Sequence, residues 1–351
     1  MSLTIKDVAA DAGVSTATVS HVINKTRRVS KELRDRVNDS IVRLKYYPNH
    51  LVRGLRSQNS KTVGVVLPSI SNEIFAMLTE CIQKILFDID YNIILCNTSY
   101  DSKLEDKALE TLIMKKTDAI SIIPVGEYTE RMNEIREMGI PVIFIDRQFK
   151  DLKVDTIRVN NFKGEYDIIC YLIKMGHRRI GYIDRSIEQS HSIEQRNGYV
   201  EALKDNGIEY DPALVINANG FDFVSGADAV KQLMIRNSDI TAISAYYDIL
   251  AVGAIRGLND LGYSVPEDVS VVGYDGMKFT SVTSPRLTTV MMPIEDMARS
   301  ICDLVVKRLE EKYADPEERP EFEPVDIVIN PKLVMQESVK TVQSGITFRA
   351  N

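Results

Sequence analysis

Long apolar runs are missing from this chain. Nothing approaches the ~20 consecutive apolar residues that a membrane-spanning helix needs, and no early stretch joins a basic start, an apolar run and a small-residue cleavage site. The expectation is a cytoplasmic protein with no membrane partner. Cysteine is scarce: Cys81, Cys96, Cys170 and Cys302 stand far apart, without CxxC or Cys/His spacing. That excludes a disulfide framework and leaves no metal site, so all four read as reduced core thiols. Histidine is equally sparse, with four in the chain, and His177 in "MGHRR" lies between a helix end and a strand, where a structural role is expected. No GxGxxG, GxxxxGK[ST] or GxSxG is present, so the phosphate loops and nucleophile turns of common enzymes are absent. The expectation is a protein that is not an enzyme, with no catalytic residue and no cofactor.

The rest is ordinary for soluble globular protein, at 44% hydrophobic and 26% charged residues, and 351 residues leave room for two or three domains. Charge, however, is unevenly spread. Residues 1–60 hold eleven Lys and Arg against five acids, a surplus of six positive charges, while the remainder carries an excess of thirteen negative ones. A basic head on an acidic body offers a place for phosphates.

That head contains three helical patterns. Ile5, Val8, Ala9 and Ala12 make one apolar stripe, with Lys6, Asp7 and Asp11 facing outward. Gly13 allows a tight bend, Val14 plugs the space between helices, and Ser15 can cap a second helix by accepting from the N–H of Ala17 or Thr18. The second helix buries Val19, Val22 and Ile23 and so presents Thr16, Ala17, Ser20, His21 and Asn24, short side chains that can approach base edges. Ser30 caps a third helix with the stripe Leu33, Val37, Ile41 and Leu44. Stripe and turn alone fit a three-helix bundle without DNA as well as they fit a helix-turn-helix.

After Lys61 apolar strands alternate with helical stretches. Val63–Leu67, Ile93–Cys96, Ala119–Ile123 and Val142–Ile145 form one series. Thr156–Val159, Ile180–Ile183, Leu214–Ile216, Ala242–Ala245 and Val269–Gly273 form a second. Buried parallel sheets read this way, and two series predict two doubly wound lobes with ligand at the strand C-termini. Ser69, Asn72 and Phe75 follow the first strand, Asp146 and Arg147 the fourth, and Asp275 the last. Carboxylates there suit hydroxyl or N–H donors, and Phe75 or Phe221 can stack on a ring. An Asp after a strand also forms caps and turns, so both roles stay open.

The wording of the segments resembles one family. "TIKDVAADAGVSTATVSHVINKTRRVS" (Thr4–Ser30) is similar to the DNA-binding head of the lactose repressor (LacI/GalR) family, most of all its purine repressor branch. The likeness continues through Tyr47-Pro48-Asn49, "LRSQNSKTVGVVLP" (Leu55–Pro68), "KMGHRRIGYI" (Lys174–Ile183), "VPEDVSVVGYD" (Val265–Asp275) and "SPRLTTV" (Ser284–Val290). It implies a helix-turn-helix domain over residues 1–47, a hinge helix and linker over 48–61, a type I periplasmic-binding-protein core over 62–340, and a tail over 341–351. The lobes would span about 62–160 with 291–322, and 161–290 with 323–340, the chain crossing between them three times.

By the same resemblance, Thr16, Ala17, Ser20, His21 and Asn24 read bases and phosphates, with Thr4, Ser15 and Thr18 beside them and Lys25 and Arg27 on phosphates. Asn49 to Arg56 matches the hinge helix, and Leu55 falls on the leucine wedged into the operator's minor groove beside Arg56. Asp146, Phe221, Asp248 and Asp275 match effector-pocket positions. Two departures stand out: Gln195 occupies the place of an effector-anchoring Arg, with Arg196 one position late, and Tyr246 and Tyr247 narrow the pocket or supply another stacking wall. The implied protein is a homodimeric transcriptional regulator, a repressor. It binds a pseudo-palindromic double-stranded operator under control of a small-molecule effector, a sugar or a nucleoside- or purine-like compound. The final "QESVKTVQSGITFRAN" lacks the leucine heptad that would make a tetramer. A cytoplasmic solute-binding or sensor protein with no operator role is the alternative, and the basic head argues against it.

Overall fold

The computed structural model describes residues 3–24, 27–46, 59–126, 129–147, 149, 152–185, 190–315 and 317–342. The chain divides into two units, 1–60 and 61–351.

In the first unit α1 (Ile5–Ala12) begins where the Asp7 carboxylate accepts the Thr4 backbone N–H and hydroxyl, each at 2.7 Å. Gly13, at φ 63°, turns the chain toward α2 (Thr16–Asn24), whose start is held by the Thr18 N–H donating to Ser15 Oγ at 3.0 Å. Ser30 caps α3 (Lys31–Leu44) in the same way. Val8, Val19 and Val37 are fully buried at the centre, with Ala9 and Ala12 beside them. Asp11 departs from its expected outward role: its carboxylate accepts from the Ser40 hydroxyl and from Arg43, both at 2.5 Å. The small, buried Ser40 lets α3 approach α1 closely, its hydroxyl also reaching the Val8 carbonyl, and the Ser40 and Arg43 contacts hold the Asp11 carboxyl below its usual range. The expected hinge helix, Asn49 to Arg56, lies outside the described residues.

The second unit runs β1 (Thr62–Leu67), α4 (Glu73–Phe87), β2 (Asn92–Asn97), α5 (Ser102–Met114), β3 (Ala119–Ile122), α6 (Thr129–Glu137), β4 (Val142–Ile145) and β5 (Asp155–Val159). Then come α7 (Asn161–Lys174), β6 (Ile180–Arg185), α8 (Ser190–Asp205), β7 (Val215–Ala218), α9 (Phe223–Arg236), β8 (Ala242–Ala245), α10 (Asp248–Asp260), β9 (Ser270–Asp275) and β10 (Thr288–Met291). The chain closes with α11 (Ile294–Tyr313), β11 (Asp326–Ile329) and β12 (Lys332–Val334). One sheet has the order β11-β5-β4-β3-β1-β2 and the other β12-β10-β9-β8-β6-β7. Every pairing is parallel except β10 with β12. Strands such as β1, whose Val63, Val65, Val66 and Leu67 are all buried, are apolar on both faces because helices cover both.

One expected lobe bound changes. The strand that opened the second series, now β5, lies in the first sheet, as the family's lobe bounds imply, but residues 323–329, expected in the second lobe, return to the first through β11 beside β5. The cause is a buried ion pair: Asp155 accepts two Arg308 N–H bonds at 2.7 Å and the Val325 N–H at 2.9 Å, tying α11 and the approach to β11 onto β5. The three crossings then lie near Asn160, Met292 and Asn330, and Asn160 Nδ2 donates to Asn330 Oδ1 at 3.0 Å, joining two of them.

Candidate functional site

On α2, Thr16 and Ala17 are exposed and Thr18, Ser20 and His21 half-buried, while Asn24 ends the helix. Ser15 and Thr4 at the helix starts, and Arg27 beyond α2, are exposed as well. A face of short polar side chains beside an exposed guanidinium is chemically suited to base edges and phosphates. Lys25, Asn49, Leu55 and Arg56 lie outside the described residues.

In the second unit the strand C-termini of the two lobes face each other. Arg158 of β5 reaches Glu194 of α8 across the lobes at 3.9 Å. Asp146, after β4, and Asp275, ending β9, take φ values of 62° and 114°, conformations costing ~1–3 kcal/mol for a residue with a Cβ. Burial, then the charge of Glu194, pushes Asp146 up to about 7. Burial, then Asp248 and Asp146, pushes Asp275 well above the usual carboxylate range. Acids from both lobes therefore converge, and Asp146 Oδ1 is buried with no hydrogen-bond partner. Such carboxylates call for donors.

Beside Asp275 stands an aromatic cluster. Tyr246 and Tyr247 meet edge to face at 4.4 Å, and Tyr247 meets Phe221 at 6.2 Å. Into it projects Arg185, the last residue of β6, which donates to Tyr247 Oη at 2.8 Å and lies 4.1 Å from the Phe221 ring centroid. Tyr100, from the loop after β2, lies close enough to feel the Arg185 charge.

Other expected residues are occupied elsewhere. Asp248 is fully buried in the first turn of α10, accepting from Thr289 Oγ1 at 2.6 Å and the Met277 N–H at 2.7 Å, so it braces the chain after Asp275 and offers no oxygen to a ligand. Burial raises its carboxyl to about 7. Arg196 is bound to the buried Asp184, its Nε donating at 2.5 Å, because one residue along a helix rotates a side chain by about 100°, here onto β6. Gln195, in contrast, is buried with Oε1 unpartnered. Asn72 caps α4 through the N–H groups of Ile74 and Phe75, Ser69 accepts from Ser71 N–H, and Phe75 leans on the first-lobe core. Arg147 donates to the carbonyls of Val125 and Gly126. His177 is structural as expected: Nε2 meets the Lys340 carbonyl at 3.1 Å, Nδ1 meets Thr241 Oγ1 at 3.0 Å, and burial lowers its pKa.

Residues 4–49 match the sequence model described as bacterial regulatory proteins, lacI family, and residues 60–330 match periplasmic binding proteins and sugar binding domain of LacI family. The chain belongs to the LacI family. It is a DNA-binding transcriptional regulator. Among similar proteins, HTH-type transcriptional regulator RegA of Clostridium saccharobutylicum is 33% identical over 90% of this chain and 95% of its own. HTH-type transcriptional repressor PurR of Vibrio atlanticus is 31% identical over 97% and 99%. The solved complex of the regulator CelR with cellobiose has a TM-score of 0.69 at 28% identity, covering 96% of this chain and 99% of that one. The lac repressor dimer bound to operator and the anti-inducer ONPF shares the fold, with a TM-score of 0.83 at 21% identity over 97% and 100%.

Arg185, Tyr100, Glu194 and Arg158 escaped the sequence reading. Arg185 alone left a signal, a charged residue closing the apolar strand "IGYIDR". Among the described residues no cluster of His, Cys, Asp and Glu could hold a metal, and no helix is long and apolar enough to cross a membrane.

Proposed function

We propose that this regulator is a homodimeric, cytoplasmic repressor whose affinity for a pseudo-palindromic operator is set by a small polyhydroxylated or heterocyclic effector held between the lobes. The observation that carries the reading is the convergence of Asp146 and Asp275, one from each lobe, on a shared site lined by Phe221 and Tyr247. A ligand that donates to both carboxylates favours one relative orientation of the lobes, and that preference is the free energy available to couple effector and operator. Thr16, Ala17, Ser20, His21 and Asn24, with Thr4, Ser15, Thr18, Lys25 and Arg27, are the proposed contacts of the head, and Asn49, Leu55 and Arg56 those of the hinge. Gln195 joins the effector contacts through its unpartnered oxygen. A dimer is supported by exposed apolar groups on the second lobe, Phe223 and Val224 on α9 and Val282 beyond Phe279, with Phe223 and Phe279 in edge-to-face contact. The relatives point to sugars, since one solved structure is a cellobiose complex, another holds bound ribose, and one curated relative is a ribose operon repressor.

The test is operator affinity, measured by fluorescence anisotropy on a DNA site selected with the full chain, with and without each of a set of pentoses, hexoses, cellobiose and purines. A compound that shifts affinity about 5- to 150-fold, and loses that effect in Asp275→Asn, supports the reading. Sequence-independent binding, or an effector shift unchanged in Asp275→Asn, overturns it.

A further inference from the structure

Arg185 is 7% exposed, yet the described residues around it supply almost nothing that balances a positive charge. Among the described residues its side-chain contacts are the Tyr247 hydroxyl, the Phe221 face at 4.1 Å and the Tyr247 ring at 5.8 Å, all uncharged. Among the described residues it forms no ion pair within 4.0 Å, and its Nε is buried with no partner. A buried cation without a counter-charge is costly, and removing its desolvation penalty requires an anion at hydrogen-bonding distance. The other buried arginine, Arg308, shows the contrast: it is 6% exposed and held by Asp155, Glu311 and the Glu323 carbonyl.

The unpaired side of Arg185 has a shape. Nη1 is engaged by Tyr247, so Nε and Nη2 form the remaining edge, two parallel N–H donors that match the two coplanar oxygens of a carboxylate. A phosphate dianion would bring a second negative charge that one guanidinium does not balance. Elsewhere the cleft is acidic and short of donors, at Asp146 and Asp275. A ligand that satisfies both ends therefore has a carboxylate at one end and hydroxyl groups at the other. Arg185 takes the carboxylate and Asp146 and Asp275 take the hydroxyls, which sets the direction of binding.

Resting on the proposal that the cleft takes an effector, we propose that this effector is a sugar acid, its carboxylate on the Nε–Nη2 edge of Arg185 and its hydroxyls donating to Asp146 and Asp275. Arg185 then does from the end of β6 what Gln195 on α8 has no charge to do.

Titration calorimetry of the full chain with glucuronate, galacturonate and gluconate, against glucose, galactose and glucose 6-phosphate, tests this directly. At least one acid should bind tenfold or more tightly than its neutral parent, and Arg185→Met should reduce it to the neutral parent's affinity. Equal or better binding of the neutral sugars, preference for the 6-phosphate, an acid affinity untouched by Arg185→Met, or no binding by any of the three acids overturns it. A ligand-free measurement separates a structural arginine. Methionine keeps the length and the ring contact while removing an unbalanced charge, so Arg185→Met without ligand should melt no lower than the wild type, and a fall of several degrees assigns the charge to folding. If a neutral sugar still shifts operator affinity, effector control stands and only the sugar acid fails; if the full chain shows no specific operator, the broader reading fails by itself.

Discussion

Glu165 is fully buried in α7, with one oxygen accepting the Ser244 hydroxyl at 2.7 Å and the other unpartnered. Burial raises its carboxyl from 4.5 to about 8, Ser244 offsetting part of this and Asp184 adding to it. A carboxyl raised in the folded state binds its proton more tightly folded than unfolded, so its contribution is intact below about pH 4.5 and is lost as pH rises toward 8. Glu165→Gln keeps the acceptor for Ser244 and cannot ionise. Its stability in urea unfolding should match the wild type near pH 4.5 and exceed it at pH 8 by on the order of a few kcal/mol; an equal difference at both pH values would show that Glu165 ionises normally. At this scale single positions were the least legible part of the chain. Asp248 and Asp275 both follow apolar strands, and only three-dimensional packing binds the first to Thr289 and Met277 and brings the second near Asp146 of the other lobe.

Helices α9 and α10 pack backbone to backbone. A Cβ at Gly226 would lie 2.2 Å from the Leu250 carbonyl oxygen, and one at Gly253 would lie 2.2 Å from the Phe223 carbonyl oxygen. Neither neighbour is a flexible side-chain tip, so relief requires the helices to separate. Gly253→Ala should therefore destabilise the second unit by about 1–3 kcal/mol or more despite alanine's better helix propensity, seen as a lower melting temperature; an unchanged or raised value would show that the contact is loose. Strand positions were readable from apolar runs, but strand ends were not. β6 and β9 each run two residues past their apolar stretches, to Arg185 and Asp275, because backbone pairing with Ala218 and Met291 continues where the side chains turn polar.

As a whole the molecule has two independently cored units, Val8, Val19 and Val37 centring one and the two lobes making the other. A fragment beginning at Lys61 should fold and bind effector yet lose operator binding. The full chain, with six excess positive charges in residues 1–60, should lose about 10³-fold or more in DNA affinity between 50 and 200 mM salt, given six or more phosphate contacts released per complex. DNA binding by the fragment, or a flat salt response of the full chain, would contradict this assignment of roles.

Apolar periodicity, cap residues and charge distribution are local properties, and they suffice for the three head helices, the alternation of strand and helix in the lobes, and a basic head on an acidic body. Side-chain direction and long-range pairing are not local. The return of β11 to the first sheet depends on Arg308 meeting Asp155, 153 residues away in sequence. The loss of Arg196 to Asp184 depends on the helical phase of α8 against β6. The burial of Arg185 without a paired charge depends on rings at positions 221 and 247 arriving from two other segments. Burial decides what each of these groups must satisfy, and burial exists only once the chain has closed on itself.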